Sequence, residues 1–200
     1  NPEASITMQL RVFDIEDRES HPLFDFATIT DLENLISFDG IEFVDGSTWV
    51  SSGIVIVVES IEVSQLYLYT PEGNQLIATL PYFTSRSLLQ PGANFLSVSP
   101  NQIAVTLTEP HDDESLNLVD IGDQAIYVVD IETGEATRLG IGVFPQWSPD
   151  GQYLAYQEYE ALHIYSVETG ETTSYLAQVS GQVGWSPDST QIAYLVDDHI

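Results

Sequence analysis

Between Val143 and Ile200 the sequence repeats itself. Trp147-Ser148-Pro149-Asp150-Gly151 returns 38 residues later as Trp185-Ser186-Pro187-Asp188-Ser189. The residues that follow return as well, Gln152-Tyr153-Leu154-Ala155-Tyr156 as Gln191-Ile192-Ala193-Tyr194-Leu195. A period of this length restricts the chain to stacked supersecondary units, because a unit so small buries its apolar face only against its neighbours.

The same order of elements can be followed backwards. Phe43 to Val50 reads as a strand ending in Trp49, with a turn through Ser51-Ser52-Gly53. Ile54 to Val58 is apolar at every position, as in a strand covered on both faces. Gln65 to Thr70 alternates, Pro71-Glu72-Gly73-Asn74 turns, and Gln75 to Leu80 returns. The next unit has strands over Asn94 to Ser99, Ile103 to Thr108, Ala125 to Asp130 and Ala136 to Leu139. It turns at Ser99-Pro100-Asn101-Gln102 and Glu132-Thr133-Gly134-Glu135, and a polar insertion interrupts it from Glu109 to Ser115. The third has Phe144 to Ser148, Tyr153 to Gln157, Leu162 to Val167, a Glu168-Thr169-Gly170-Glu171 turn, and Thr172 to Ala177. A fourth begins at Gln182 and passes Trp185 and Ile192 to Val196. Trp49, Val98, Trp147 and Trp185 are then equivalent, 49, 49 and 38 residues apart, with the insertion and a link from Leu80 to Ala93 lengthening the first two steps. Near the start, Leu10 to Glu16 and Leu23 to Ile29 read as two more strands, and Thr30 to Asn34 as the cap of a helical turn.

Four short strands in about forty residues is the size of a propeller blade. The expected fold is an all-β propeller over residues 1–200, with blades at about 41–80, 93–139 and 143–177 and partial units at 9–29 and 182–200. The partial units are the outer and inner strand pairs of one composite blade, or the ends of an arc cut from a larger ring. An arc leaves unpaired strand edges, and Asp197-Asp198-His199-Ile200 leads into another third strand, so a piece of a larger ring is the expectation. Local chemistry agrees with the blade. In Ser-Pro-Asp-Gly, proline presets φ, Asp tolerates the bridge region and Gly takes the exit angle. The Trp before it offers a flat surface to wedge between blades.

The phrase Trp-Ser-Pro-Asp-Gly-x-x-Leu-Ala-Tyr, then Tyr-x-Val and Thr-Gly-Glu, resembles the TolB-type, WD40-like (PD40) propeller repeat. The likeness is best over Phe144 to Leu195 and weaker over Phe43 to Leu139, where Val98 replaces Trp and Asn101-Gln102 replaces Asp-Gly. The resemblance implies a stiff platform for protein contacts in the bacterial envelope, periplasmic, cell-surface or secreted. The same propeller also gates prolyl-oligopeptidase-like serine peptidases, so the alternative is the propeller part of a secreted peptidase or glycosidase with its catalytic part elsewhere.

Charge narrows the partners. There are 31 acidic residues against four Arg and no Lys, a formal charge of −27. Such a surface repels phosphate backbones and anionic lipid, leaving a partner with a basic face as the expected ligand and excluding nucleic acid. The longest aliphatic run, Ile54 to Val58, is far too short to insert in a membrane.

No catalytic residue is expected. The chain has no Gly-x-Ser-x-Gly elbow, its serines sit in turn phrases, and the order Ser-x-Asp-x-Gly-x-x-Trp of a sialidase box is not matched. Absence of Cys removes thiolate chemistry. His21, His111, His163 and His199 stand singly, without zinc spacing. Asp112, Asp113 and Glu114 are the candidate oxygen ligands for Ca²⁺, but they lack the Asp-x-Asp-x-Asp-Gly rhythm, so a solvated acidic loop and no cofactor is the reading adopted. His163, between Leu162 and Ile164, reads as a packing residue.

The acid excess without Lys also fits adaptation to concentrated salt. On that reading the melting temperature climbs as KCl is raised, and a flat response rejects it.

Overall fold

The computed structural model describes residues 9–13, 15, 18–25, 43–50, 53–59, 64–70, 73–80, 83–84, 95–109, 123–176 and 178–196. The expected helical turn at Thr30 to Asn34 and most of the polar insertion fall outside them. The chain divides into two compact units, Asn1–Ile41 and Glu42–Ile200. In the first, β1 (Gln9–Phe13) pairs antiparallel with β2 (Ser20–Asp25). The expected strand ends at Glu16 and Ile29 lie outside the described residues, and β2 begins earlier than the expected Leu23. Its register slips between Leu10 and Arg11, where Arg11 meets Pro22. Proline brings no N–H to a ladder, which suits an irregularity there.

The second unit is all β among its described residues. Strands β3 (Phe43–Val50), β4 (Gly53–Glu59), β5 (Ser64–Thr70) and β6 (Gly73–Leu80) pair in chain order as one antiparallel sheet. The next sheet holds β7 (Phe83–Thr84), β8 (Leu96–Val98), β9 (Gln102–Glu109), β10 (Asp123–Asp130) and β11 (Ala136–Ile141). The sequence puts its inner strand at Asn94 to Ser99 alone. The inner rank is instead split: Leu96, Ser97 and Val98 face Val105, Ala104 and Ile103, while Phe83 and Thr84 face Thr108 and Leu107. A long β9 offers more edge than the three residues of β8 can pair, and two residues of the link fill the remainder.

The third sheet is β12 (Val143–Trp147), β13 (Tyr153–Glu158), β14 (Ala161–Ser166) and β15 (Thr172–Leu176), again in chain order. β12 carries a bulge before Gln146, where Phe144 takes a φ of 57°. Last come β16 (Gly184–Trp185) and β17 (Ile192–Ala193), with one further bridge from Val179 to Val196. Trp147 pairs with Leu154 and Trp185 with Ile192. The repeat therefore keeps its 38-residue step beyond the turn, with Tyr153 over Gln191 and Tyr156 over Tyr194. The sequence alignment of Gln152 with Gln191 is one residue out, misled by two glutamines with different places in the turn.

Packing follows the two-residue period of the inner strands. On β9 and β10, Ile103, Val105, Leu107, Ala125, Tyr127 and Val129 meet Val55, Leu66, Leu68, Ala78 and Leu80 of the first sheet. Alternate residues Ala104, Ile126 and Val128 meet Trp147, Leu154 and Tyr156 of the third. β13 repeats the division, since Ala155 packs with Leu162, Val179 and Val183 towards the fourth. Each middle sheet is thus a wall with two apolar faces, which is why runs such as Ala125 to Val129 are apolar at every position.

On the outer side, Arg138 of β11 grips Glu109 of β9 with Nε to Oε1 at 2.7 Å and Nη2 to Oε2 at 2.8 Å. Tyr127 of β10, lying between them, donates to the same carboxylate at 2.6 Å. The guanidinium, helped by this hydroxyl, holds Glu109 below the usual carboxylate range, and the carboxylate raises Arg138.

Thr106 is buried on the third-sheet side and its Oγ1 has no hydrogen-bond partner among the described residues. Thr106→Val keeps the shape and removes an unsatisfied hydroxyl, so it is expected to raise the unfolding free energy by about 1 kcal/mol. Ile126→Ala, at a fully buried site in the same interface, is expected to lower it by about 2–5 kcal/mol. Urea denaturation of the two variants beside the parent measures both signs at once.

Candidate docking cleft at the Ser-Pro turns

The inner strands β8, β12 and β16 end side by side, each just before a Ser-Pro turn. In the third sheet, Ser148 Oγ donates to Asp150 Oδ1 at 2.6 Å and accepts from the Tyr153 N–H at 3.0 Å, while Asp150 Oδ1 also accepts from the Gln152 N–H at 3.0 Å. The fourth copies this: Ser186 Oγ to Asp188 Oδ1 at 2.6 Å, the Gln191 N–H to Ser186 Oγ at 2.9 Å, and Thr190 Oγ1 to Asp188 Oδ1 at 2.8 Å. Gly151 has a φ of 69°, and Ser189 fills the same place at 60°. Serine tolerates that left-handed angle less well than glycine. Its Oγ, however, accepts from the Asp150 N–H at 3.1 Å, tying one turn to the next.

The second sheet departs from this pattern. Val98 pairs with Ile103, so Pro100 and Asn101 make a turn two residues shorter than that of the third sheet. Ser99 still closes it, taking the Gln102 N–H on Oγ at 3.1 Å. A side chain at Gly151 would bring its Cβ to 3.1 Å from Pro100 Cδ and 3.2 Å from Ser99 Cβ, so the longer turn nests on the shorter one.

The tryptophans lock the strands laterally. Trp147 is 4% exposed, and its backbone N–H donates to Ser97 Oγ at 3.0 Å. Trp185 is half-buried, donates from Nε1 to the Gln146 carbonyl at 2.9 Å, and stacks with Tyr153 at a centroid distance of 6.2 Å. Between the strand ends lies a cleft of about 530 Å³ lined by Val98, Gln146, Trp147, Val183, Gly184 and Trp185 with the first two residues of two Ser-Pro turns. That volume suits a few side chains of a ligand. No lining residue carries a charge, in a chain with 31 acids. Asp150 and Asp188 stand just beyond the lining residues in sequence, fully exposed and kept below the ordinary Asp range by their serine hydroxyls first.

The residues singled out in the sequence lie elsewhere. Asp112, Asp113, Glu114, His111 and His199 are outside the described residues, and His21 lies on β2. No group of three or more His, Asp or Glu suited to a metal ion occurs among the described residues. His163 is buried on β14, 2.9 Å from Ser174 Oγ through Nδ1 and stacked on Tyr156 at 5.0 Å. Its Nε2 lies 3.1 Å from Glu158 Oε2, yet this contact misses the geometry of a hydrogen bond. Ser, His and Glu are therefore in contact, but the ring is fixed flat against a tyrosine and the carboxylate lies off the N–H axis. A triad needs the carboxylate on that axis to hold the ring for proton transfer. The cleft itself was missed in the sequence. Its signal was present, since Trp and Ser-Pro recur at the same place in the units.

The sequence matches no protein-family model and no curated protein. Among solved structures, a crystal structure of TolB from Acinetobacter baumannii superposes with a TM-score of 0.56 at 15% identity, covering 96% of this chain and 43% of that one. A chain of the mitotic checkpoint complex gives 0.55 at 13% identity, over 93% of this chain and 52% of that one. The β-propeller domain of the Trilobed protease from Pyrococcus furiosus gives 0.47 at 14% identity, over 74% and 46%. This chain spans about half the length of the structures it resembles. Together with the stacked antiparallel sheets, the likeness to TolB makes the fold a β-propeller.

Asp150 and Asp188 titrate lower in the folded chain than in the unfolded one. Their contribution to stability is complete above the unfolded value of about 4 and disappears as pH falls through the folded value. The Asp150→Asn, Asp188→Asn double variant is therefore expected to trail the parent by a constant urea midpoint from pH 7 to 5. Below about pH 4 the gap should close.

Proposed function

We propose that this chain is a non-catalytic docking module, a propeller of TolB-type, WD40-like repeats that holds a protein partner at the Ser-Pro-turn cleft. The observation that carries the reading is an uncharged, tryptophan-walled cleft, with the exposed Asp150 next in sequence to its lining Pro149, in a chain of net charge −27. A rigid scaffold with short turns gathered at one end of its inner strands positions contact residues without ordering cost on binding. The partner presents a basic face: like charge across the contact is costly, and opposite charge accelerates encounter. Calcium has no part in the contact. The module works in the cell envelope or outside the cell, a compartment that follows from the repeat resemblance. No helix of the described residues is long and apolar enough to cross a membrane.

A photo-crosslinking residue placed at Gln146, in the cleft, and another at Tyr175, exposed on β15, separate this face from the rest of the surface. The expected result, in an extract of the source cells, is a discrete crosslinked protein from Gln146 that is absent from Tyr175. Its yield should fall several-fold between about 50 and 500 mM NaCl as screening shortens the reach of the charges. Equal labelling from both positions, or a yield indifferent to salt, overturns the reading.

A further inference from the structure

We infer that the cleft takes an arginine side chain from an extended segment of the partner, and not a lysine. This rests on the docking reading above and specifies what enters the site. Three features point to a guanidinium. The walls are apolar and aromatic, formed by Val98, Val183, Trp147 and Trp185, so a cation entering must shed water; guanidinium is the more weakly hydrated of the two basic groups. Trp185 is half-buried in the wall of the cleft and held in place by its bond to the Gln146 carbonyl and by Tyr153. A fixed indole is the best aromatic partner for a flat cation, and its orientation costs nothing at the moment of binding. Finally, Asp150 offers an exposed carboxylate directly after the lining Ser148-Pro149 pair, and Asp188 holds the same place in the next turn. A guanidinium has five N–H groups to spread between the wall and an ionised carboxylate beside it. The 530 Å³ admits the side chain and the residues that flank it.

Among the described residues of the second unit the arginine is Arg138, on β11, and it is held bidentate by Glu109. The cation is accordingly drawn from a partner.

The test uses the whole chain labelled with 5-fluorotryptophan, whose three tryptophans give three assignable fluorine signals. The probes are acetyl-Pro-Arg-Pro-amide, its Pro-Lys-Pro counterpart and the neutral citrulline isostere. The Trp185 signal is expected to move saturably with the arginine peptide, with an affinity at least fivefold better than for lysine and no response to citrulline. Trp185→Leu should weaken binding tenfold or more, as should Trp185→Phe by a smaller factor if the leucine variant does not fold. Asp150→Asn with Asp188→Asn should weaken it several-fold. Equal affinities for arginine and lysine, or a shift confined to the other tryptophans, overturn the inference. If the Gln146 crosslink forms and the arginine peptide fails to compete with it, this inference is lost and the docking reading stands. If the crosslink itself is absent, the docking reading is lost.

Discussion

Every sheet in the middle of the second unit depends on being covered on both faces. Ile103, Val105 and Leu107 point one way from β9, and Ala104 and Ile126 point the other way from the same sheet. A single four-stranded sheet would leave one set in water. Burial at roughly 25 cal/mol per Å² of apolar surface makes that arrangement unfavourable by several kcal/mol. Stability is therefore shared between neighbours, and no sheet is an independent object. The cleft depends on the same division, because the strands that wall it are the inner edges of sheets held apart at a fixed distance by these side chains.

Polar groups then fix the register that the apolar faces leave loose. Hydrophobic packing is non-directional, so it would tolerate small sliding of one sheet over the next. The Trp147 N–H on Ser97, the Trp185 indole on the Gln146 carbonyl and the Asp150 N–H on Ser189 remove that freedom. All of them lie near the inner strand ends. The strands that wall the cleft are thus fixed in register by directional bonds.

The sheets were legible in the sequence because strand period and turn chemistry are local. Ser148-Pro149-Asp150-Gly151 marks its own turn, and the apolar run from Ala125 to Val129 announces two covered faces. What escaped was set by pairing between distant segments. Phe83 and Thr84 join β9 because that strand has edge to spare, and nothing in their own letters says so. The step after Trp185 was misplaced for a related reason: Gln152 and Gln191 are the same letter, but only the ladder shows that Tyr153 is the residue equivalent to Gln191. The cleft was harder still. Its lining comes from three strands up to 87 residues apart, Val98 to Trp185, and its neutrality shows only once those strands stand together.

The short Pro100-Asn101 turn looks at first like decay of a better motif. A Cβ at Gly151 would press on Pro100 and Ser99 at 3.1 and 3.2 Å, so the fuller turn of the third sheet fits closely over the shorter one beside it. The units are consequently not interchangeable tiles. Exchanging the second for a duplicate of the third would put a turn two residues longer where Pro100 and Ser99 now lie against Gly151, whereas the third and fourth turns, equal in length, already sit together through Ser189. The fit of one repeat to the next is in this way written into the lengths of their smallest loops.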